Sequence, residues 1–435
     1  MNKNKTFNIV TFGCKVNSYE SESIKESLIS KGYVFTEDKT ADINIFNTCA
    51  VTLVAEKKCL KHIKSAARNN PNSQIIVLGC YAQLHPEQIK DLPNIKVLVG
   101  SSNKGKIVEY LEEKEPVINV QQDMRLAEFE ELKIHNFGSE IRAFEKIQDG
   151  CDNFCTYCII PLTRGKSRSR KCEDILSEIH TLAVNGYKEI VITGVDMGSY
   201  KDGDVNFSDL MEKILDVEPK TFRLRIGSLE TSQFDEKMIQ LYKNHERLVP
   251  HIHIPLQSGC EKILESMGRK YDLDEFYKLV LRLKSEVKNC ALSTDIIVGF
   301  PGETEEDFLQ TCEFVKKVGF MRLHVFPYSS RPYTKASRMK SQVDRACSKN
   351  RVRVLVSIGE ELADEYENSF VGQQLTVLVE EELKPVKGVR IFRGYTENYL
   401  DIKIKSQEEI LGKYIKVTIN NKDYIEKYSV LEKDN

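Results

Sequence analysis

Residues 149–158 read Asp149-Gly150-Cys151-Asp152-Asn153-Phe154-Cys155-Thr156-Tyr157-Cys158, three cysteines at C-x3-C-x2-C spacing on a polar, glycine-led loop. The run Ala143 to Gln148 leads straight into this loop and reads as a strand. Further strand candidates follow at Glu189 to Thr193, Phe222 to Ile226, His251 to Pro255, Leu292 to Val298 and Leu323 to Phe326. Polar or glycine-containing loops follow them, and mostly helical stretches after that. Over residues 137–368 the pattern predicts a partial (β/α)6 barrel rather than a closed eight-fold one. The cysteine loop then sits at the C-terminal end of the first barrel strand, on the face where such folds carry their chemistry.

Thiolates are soft ligands suited to the irons of an iron-sulfur cube. A cube has four irons, so Cys151, Cys155 and Cys158 leave one of them open. An open iron can chelate the amino and carboxylate groups of S-adenosylmethionine, and an electron delivered there cleaves the sulfonium to a 5′-deoxyadenosyl radical. The three cysteines are therefore candidate metal ligands and candidate catalytic residues. A structural zinc would want a fourth Cys or His at compatible spacing, and His180 lies well beyond the loop in a helical stretch. Thiols used only to fill a core would not crowd a polar loop.

Upstream, Phe7 to Thr11, Ile43 to Phe46, Gln74 to Leu78 and Ile95 to Val99 read as strands, alternating with helical segments near Ser21 to Ser30, Val54 to Arg68, Pro86 to Leu92 and Lys104 to Leu111. Strand-helix alternation predicts a parallel, doubly wound sheet over residues 1–115. Three of these strands run into Gly13-Cys14, Asn47-Thr48-Cys49 and Gly79-Cys80. The C-terminal ends of such strands converge on one crevice, so Cys14, Cys49 and Cys80 form a second candidate set of three metal ligands with one iron open. Cys59, Cys172, Cys260, Cys290, Cys312 and Cys347 have no such placement and read as ordinary thiols.

A chain of 435 residues suggests roughly three domains. Residues 116–136 are highly charged and read as a linker, and residues 369–435 form a β-rich tail that predicts a small all-β barrel. The composition, 41% hydrophobic and 29% charged, is that of globular protein and excludes disorder and fibre. Sixty-three basic against 65 acidic residues leave a net charge of −2, so any nucleic-acid contact must come from local patches. One such patch is Arg331 to Val354, with eight bases and the single acid Asp344. Another is the run Arg164, Lys166, Arg168, Arg170 and Lys171 beside the cysteine loop; both are read as contacts for RNA phosphate. The tail balances eleven bases against eleven acids, so an RNA role there rests on patch geometry. The start lacks a signal-peptide pattern and no run reaches membrane-spanning length, which predicts a cytoplasmic protein without membrane contact. Twelve cysteines in a reducing compartment are not a disulfide framework.

The cysteine spacing, Tyr157 before the last cysteine and the βα series resemble the radical S-adenosylmethionine superfamily. With Gly13-Cys14-Lys15-Val16-Asn17, the strand-end cysteines and the β-rich tail, the whole chain closely resembles the methylthiotransferase family. The resemblance implies an α/β multidomain fold: a flavodoxin-like domain with an auxiliary [4Fe-4S] cluster, a radical core with a second [4Fe-4S] cluster, and a C-terminal TRAM barrel that binds RNA. It implies that one S-adenosylmethionine methylates a sulfur at the auxiliary cluster while another yields the radical that removes the C2 hydrogen of an adenine. The Gly13-to-Asn17 motif looks most like the branch acting on N6-threonylcarbamoyladenosine beside the anticodon of tRNA. Other branches modify isopentenyl-adenosine or a ribosomal-protein aspartate, and a non-enzymatic iron-sulfur RNA sensor is the alternative from another class. An external electron donor is required, and the sulfur donor is not named by any motif.

The resemblance also implies cofactor contacts. Tyr157 would lie against the adenine, although a plain core aromatic is the alternative. Gly194 and Asp196 follow the second barrel strand, where the family meets the methionine end of the cofactor. Gln257 and Gly299 follow later strands; Asp196 and Gln257 could bond polar groups, and the glycines could let backbone approach. Thr304 with Asp307 reads more simply as a helix N-cap box. Tyr333 departs from the family, where glycine usually follows the Arg-Pro pair.

Overall fold

The computed structural model describes residues 4–138, 141–386, 388–420 and 428–430. The first unit is a parallel sheet of β1 (Thr6–Thr11), β2 (Val34–Phe35), β3 (Ile43–Thr48), β4 (Gln74–Gly79), β5 (Ile95–Val99) and β6 (Val117–Asn119). Its order is β2-β1-β3-β4-β5-β6. The helices α1 (Lys15–Ser30), α2 (Leu53–Asn69), α3 (Cys80–Leu84) and α4 (Ile107–Glu112) cover it. Ile75 to Leu78 are wholly buried because both faces of the sheet carry apolar clusters, so these strands read as continuous apolar runs rather than alternating ones.

Two expectations are corrected here. Pro86 to Leu92 is not a helix but one 3-10 turn, Pro86–Gln88. His85, before the proline, is pushed out of the helical region (φ −131°, ψ 48°), which ends the preceding helix instead of extending it. Residues 116–136, expected as a linker, supply the edge strand β6, which pairs in parallel with β5.

The second unit starts with β7 (Arg142–Lys146) and β8 (Gln148–Asp149), then α5 (Ile160–Thr163), β9 (Arg168–Ser169), α6 (Cys172–Val184), β10 (Glu189–Thr193) and the short pair β11 (Lys201–Asp202) and β12 (Val205–Asn206). It continues through α7 (Phe207–Leu215), β13 (Arg223–Ile226), α8 (Glu236–Asn244), β14 (His251–His253), α9 (Glu261–Met267), α10 (Leu273–Glu286), β15 (Ala291–Val298), α11 (Glu305–Val318), β16 (Arg322–Pro327) and α12 (Arg345–Asn368). Two three-stranded parallel sheets, β13-β10-β7 and β14-β15-β16, join through the bridges Leu224–Leu248 and Ser228–His253. The six strands form an arc open between β7 and β16, as a partial barrel requires. The apolar cluster between this arc and its helices is the largest core in the molecule.

The first unit closes the gap in the arc. Helix α1 packs along β7, while at the other side the backbone N–H of Leu53 donates to Ser329 Oγ (3.1 Å) beyond β16. The buried Glu56 on α2 pairs with Arg331 and lies 3.3 Å from His85. A charge cluster seals the joint: Glu20 on α1 meets Lys104 (2.6 Å), Lys146 (2.9 Å) and Arg164 (3.0 Å), and Asp149 meets Lys146 (2.8 Å) and Arg164 (3.1 Å). Burial disfavours ionisation of both carboxyls. The surrounding cations, Arg164 first, outweigh it and hold both well below the usual carboxylate range.

The tail is an antiparallel sheet of β17 (Gln374–Val386), β18 (Val389–Thr396), β19 (Asp401–Ser406), β20 (Tyr414–Thr418) and β21 (Tyr428–Val430), ordered β19-β18-β17-β20-β21. It curls as a half-barrel around Val377, Phe392, Ile404 and Ile415. Of the tail bases, Lys387, Lys422, Lys427 and Lys433 lie outside the described residues. The half-barrel docks on the N-terminal ends of the barrel strands. Tyr399 stacks on His251 (centroids 4.6 Å apart) and lies under the Arg225 guanidinium (4.4 Å), and Arg142 reaches Glu380 (2.6 Å). Among the described residues no helix is long and apolar enough to cross a membrane.

Candidate active site

The loop after β8 begins at Gly150, whose φ of +74° is a conformation that side chains disfavour. A Cβ there would lie 1.9 Å from the Lys166 carbonyl oxygen. Gly150→Ala should therefore lower stability by about 1–2 kcal/mol through the left-handed backbone alone, with the clash adding to it. A melting curve and an iron assay would check this, and an unchanged melting temperature would refute it.

Beyond Gly150 the loop is strapped at both ends. The Cys151 N–H donates to the Gly165 carbonyl (3.1 Å), the Thr156 N–H to Met267 (2.8 Å), and Ala336 N–H to the Thr156 carbonyl (2.9 Å). Arg269 Nη1 donates to Cys155 Sγ (3.4 Å) and pairs with Glu230. Burial pushes the Cys151 thiol up and the Cys158 thiol up to about 12; Cys151 also feels Cys155 and Cys158, and Cys158 feels Cys155. Thiols so raised stay protonated near neutrality unless a metal takes them as thiolates.

The strand-end cysteines also meet. Gly13 (φ +104°) lets its loop pass so close to Cys49 that a Cβ would sit 2.9 Å from the Cys49 Sγ. Burial raises the Cys14 thiol, partly offset by Arg164. Burial also raises Cys49 to about 12, with the nearby Cys80 and Cys14 adding to it. Asn17 braces this floor: its Nδ2 donates to the carbonyls of Phe12 (2.7 Å) and Thr48 (3.1 Å). Its Oδ1 accepts from Arg164 Nη2 (2.6 Å). Arg164 directly precedes the Gly165 that holds Cys151, so one residue pair ties the two cysteine sites together.

Among the described residues, no group of three or more His, Cys, Asp or Glu converges tightly enough to hold a single metal ion. The described cysteines are all free thiols, so both triplets retain their sulfur donors.

The expected cofactor residues are distributed unevenly. Gln257, at φ +66°, is almost buried and its side-chain oxygen lacks a hydrogen-bond partner, leaving an acceptor open at the barrel mouth. Asp196 already accepts from Gln233 (2.5 Å), Asn153 (3.2 Å) and the Cys151 thiol (3.6 Å), so it fixes the cysteine loop. Gly194 packs on Met197 and Gln148, while Gly299 is required by a different neighbour, since a Cβ there would lie 2.1 Å from Ser348 Oγ on α12. Tyr157 is half-buried, edge-on to Phe300 (6.4 Å) and packed against an apolar cluster around Met267. Thr304 and Asp307 form the expected capping box.

Sequence reasoning missed Gln148, whose Oε1 accepts from the N–H groups of Val195 (3.0 Å) and Asp196 (2.7 Å). It also missed Arg269 and Glu230, which carry no motif, and the bracing role of Asn17 within the Gly13-to-Asn17 motif. The basic patches are partly corrected. Arg164, Arg170, Arg331 and Arg351 are buried and paired internally, with Glu20, Glu145, Glu56 and Glu303 respectively. They are unavailable to RNA. Tyr333 takes the left-handed conformation (φ +74°) that the usual glycine would adopt.

The Radical SAM superfamily matches residues 146–315, and the family described as Uncharacterized protein family UPF0004 matches residues 6–100. Over 95% of its length the chain is 40% identical to the threonylcarbamoyladenosine tRNA methylthiotransferase MtaB of Bacillus subtilis (strain 168), covering 93% of that protein. The chain belongs to the radical S-adenosylmethionine methylthiotransferase family. This methylthiotransferase is also 37% identical to a tRNA-2-methylthio-N(6)-dimethylallyladenosine synthase of Staphylococcus haemolyticus (strain JCSC1435), over 97% of this chain and 84% of that one. Its fold matches that of a radical S-adenosylmethionine methyltransferase, TsrM, from Kitasatospora setae, solved with cobalamin and a [4Fe-4S] cluster bound (TM-score 0.56, 14% identity, 77% of each chain). Radical methylthiotransferases use S-adenosylmethionine and [4Fe-4S] clusters.

Proposed function

We propose that this enzyme adds a methylthio group to C2 of N6-threonylcarbamoyladenosine beside the anticodon of tRNA. The observation that carries the reading is the junction at Arg164 and Gly165: Arg164 bonds Asn17 and lies within electrostatic reach of Cys14 and Cys80, while the next residue, Gly165, accepts from the Cys151 N–H. Two cysteine triplets so linked suit a reaction that must both activate a carbon and deliver sulfur to it. Support for the substrate comes from several relatives named for it, at 34–40% identity, and from Gly13-Cys14-Lys15-Val16-Asn17.

In this reading Cys151, Cys155 and Cys158 hold one cluster and Cys14, Cys49 and Cys80 the other. When bound, the clusters and S-adenosylmethionine supply a radical able to take the C2 hydrogen and a methyl group for the inserted sulfur. The chain's own residues set the geometry. Arg269 and Arg164 neutralise thiolate charge at the two sites, and Gln257 offers its free oxygen to a polar group of the cofactor. Tyr157 borders the mouth, and Gln148 fixes the loop that carries Asp196. The base must be unstacked to reach this mouth, which costs least in a single-stranded anticodon loop. The exposed Lys335, Arg338, Lys340, Arg345, Lys349 and Arg353 are the cations left to meet phosphate, with the TRAM-like tail beside the barrel. An external donor supplies electrons, and the enzyme works in the cytoplasm.

Nucleosides from tRNA of a strain lacking the gene provide the test. Mass spectrometry should show threonylcarbamoyladenosine accumulating without its methylthio form, and restoring the gene should bring that form back. Loss of the methylthio form of isopentenyl-adenosine instead, or of a methylthiolated ribosomal-protein aspartate, would overturn the reading.

A further inference from the structure

The interior of the barrel arc is polar and cationic. Glu189, at the start of β10, is shared by Arg142 (2.7 Å), Arg223 and Arg225 (2.9 Å). Arg322 stands over Tyr399 (5.8 Å) at the opposite wall, and further acids are Glu380, held by Arg142, and Asp295, 3.4 Å from His253. Lys15, the first residue of α1, borders this space from the first unit, where α1 packs along β7. It is exposed and lies within electrostatic reach of Arg225, Arg142 and Glu189, and of His251 and His324. Glu367 on α12 adds a fourth carboxylate, within reach of Arg322, so five cations face four, and Lys15 has no hydrogen bond or ion pair among the described residues. Arg225, almost fully buried, keeps Nη1 without an acceptor, and His251 Nδ1 is also unpartnered. Burying so many donors with too few acceptors is costly unless an anion completes the set.

We propose that Lys15, with Arg225 behind it, receives the carboxylate that ends the threonylcarbamoyl arm of the substrate adenine. The inference rests on the proposed substrate. In a purine, C2 and the N6 substituent flank N1 on different sides. A base that offers C2 to the Cys151–Cys158 loop therefore directs its N6 arm away from that loop, toward the lumen. An isopentenyl arm is apolar and gains nothing from such a lumen, so the same residues reject it by leaving their charges unmet. Lys15 adjoins Cys14, so the residue that reads the arm is carried on the loop that presents sulfur.

The test uses the full-length, iron-loaded enzyme and an anticodon stem-loop RNA whose threonylcarbamoyl arm ends either in the free acid or in its methyl ester. The native enzyme should prefer the acid by roughly 10- to 100-fold in kcat/KM, mostly through KM. Lys15→Gln should lose that preference by falling on the acid to its level on the ester. Equal use of acid and ester by the native enzyme would overturn the proposal without any variant. So would a Lys15→Gln enzyme that weakens on both RNAs alike, the result expected if Lys15 met backbone phosphate. A native enzyme inactive on both RNAs yet active on an isopentenyl RNA would instead remove the substrate reading on which the proposal rests.

Discussion

Cys155→Ala is expected to abolish 5′-deoxyadenosine formation, while Cys49→Ser leaves that cleavage intact and loses the methylthiolated product. The reasoning follows from where the two thiols sit. Cys155 is the loop thiol that Arg269 holds at 3.4 Å. Cys49 lies on the other side of Arg164, buried at the end of β3 among Gly13, Cys14 and Cys80. Each substitution removes one thiolate from one triplet, and an iron without its thiolate leaves the cluster poorly held. Iron content after anaerobic reconstitution should therefore fall from about eight to about four per chain in either variant, four for each cube. Only the product pattern separates them. Undiminished 5′-deoxyadenosine from Cys155→Ala would remove the radical assignment of the loop. Full methylthiolation by Cys49→Ser would remove the role of the strand-end cysteines.

The second large effect belongs to a residue with no part in the chemistry. Glu20→Gln leaves Lys104, Lys146 and Arg164 buried with Asp149 as their principal remaining carboxylate. Removing one partner of a buried charge network typically costs about 3–5 kcal/mol, because the remaining charges lose compensation they cannot obtain from water. A lowered urea midpoint should record this. Replacing Lys104 by methionine as well should recover part of the loss, since it removes one stranded cation. The same carboxyl sets a pH dependence. Its folded value is held below the unfolded value of about 4.3, so its stabilisation is fully present above that pH and drains away as pH falls toward the folded value. An unchanged midpoint in Glu20→Gln would contradict the account.

The parts of the molecule legible in the sequence are those governed by local pattern. Strand ends reveal themselves through apolar runs that stop at glycine or asparagine, so Cys14, Cys49 and Cys80 could be grouped before any coordinates existed. The loop of Cys151, Cys155 and Cys158 announces itself by spacing. Long-range pairing is not legible in this way. Arg164 and Arg170 sit in a run that looks solvated, yet their carboxylate partners include Glu20, more than a hundred residues upstream, and Glu145 across a strand. Arg331 and Arg351 mislead for the same reason, each being neutralised by a helix or loop remote in sequence or masked by neighbouring surface bases. Gly299 shows a related limit: sequence marks that a side chain must be absent, but only the structure shows that Ser348 stands where its Cβ would be. Pro86 to Leu92 failed because apolar spacing suggested a helix in a stretch where the proline pushes its predecessor out of the helical region.

The Glu20 cluster also constrains how such proteins can be recombined. Its acids and bases are split between the two units: Glu20 and Lys104 come from one, and Lys146, Asp149 and Arg164 from the other. The first unit's pair is formally neutral, but the second unit's three residues carry one positive charge in excess, which only Glu20 offsets. A chimera that grafts the cysteine-bearing sheet of one relative onto the barrel of another must therefore transplant these five positions as a set. Swapping whole domains at a boundary near residue 140 without matching them would bring ill-matched charges into a joint closed to water.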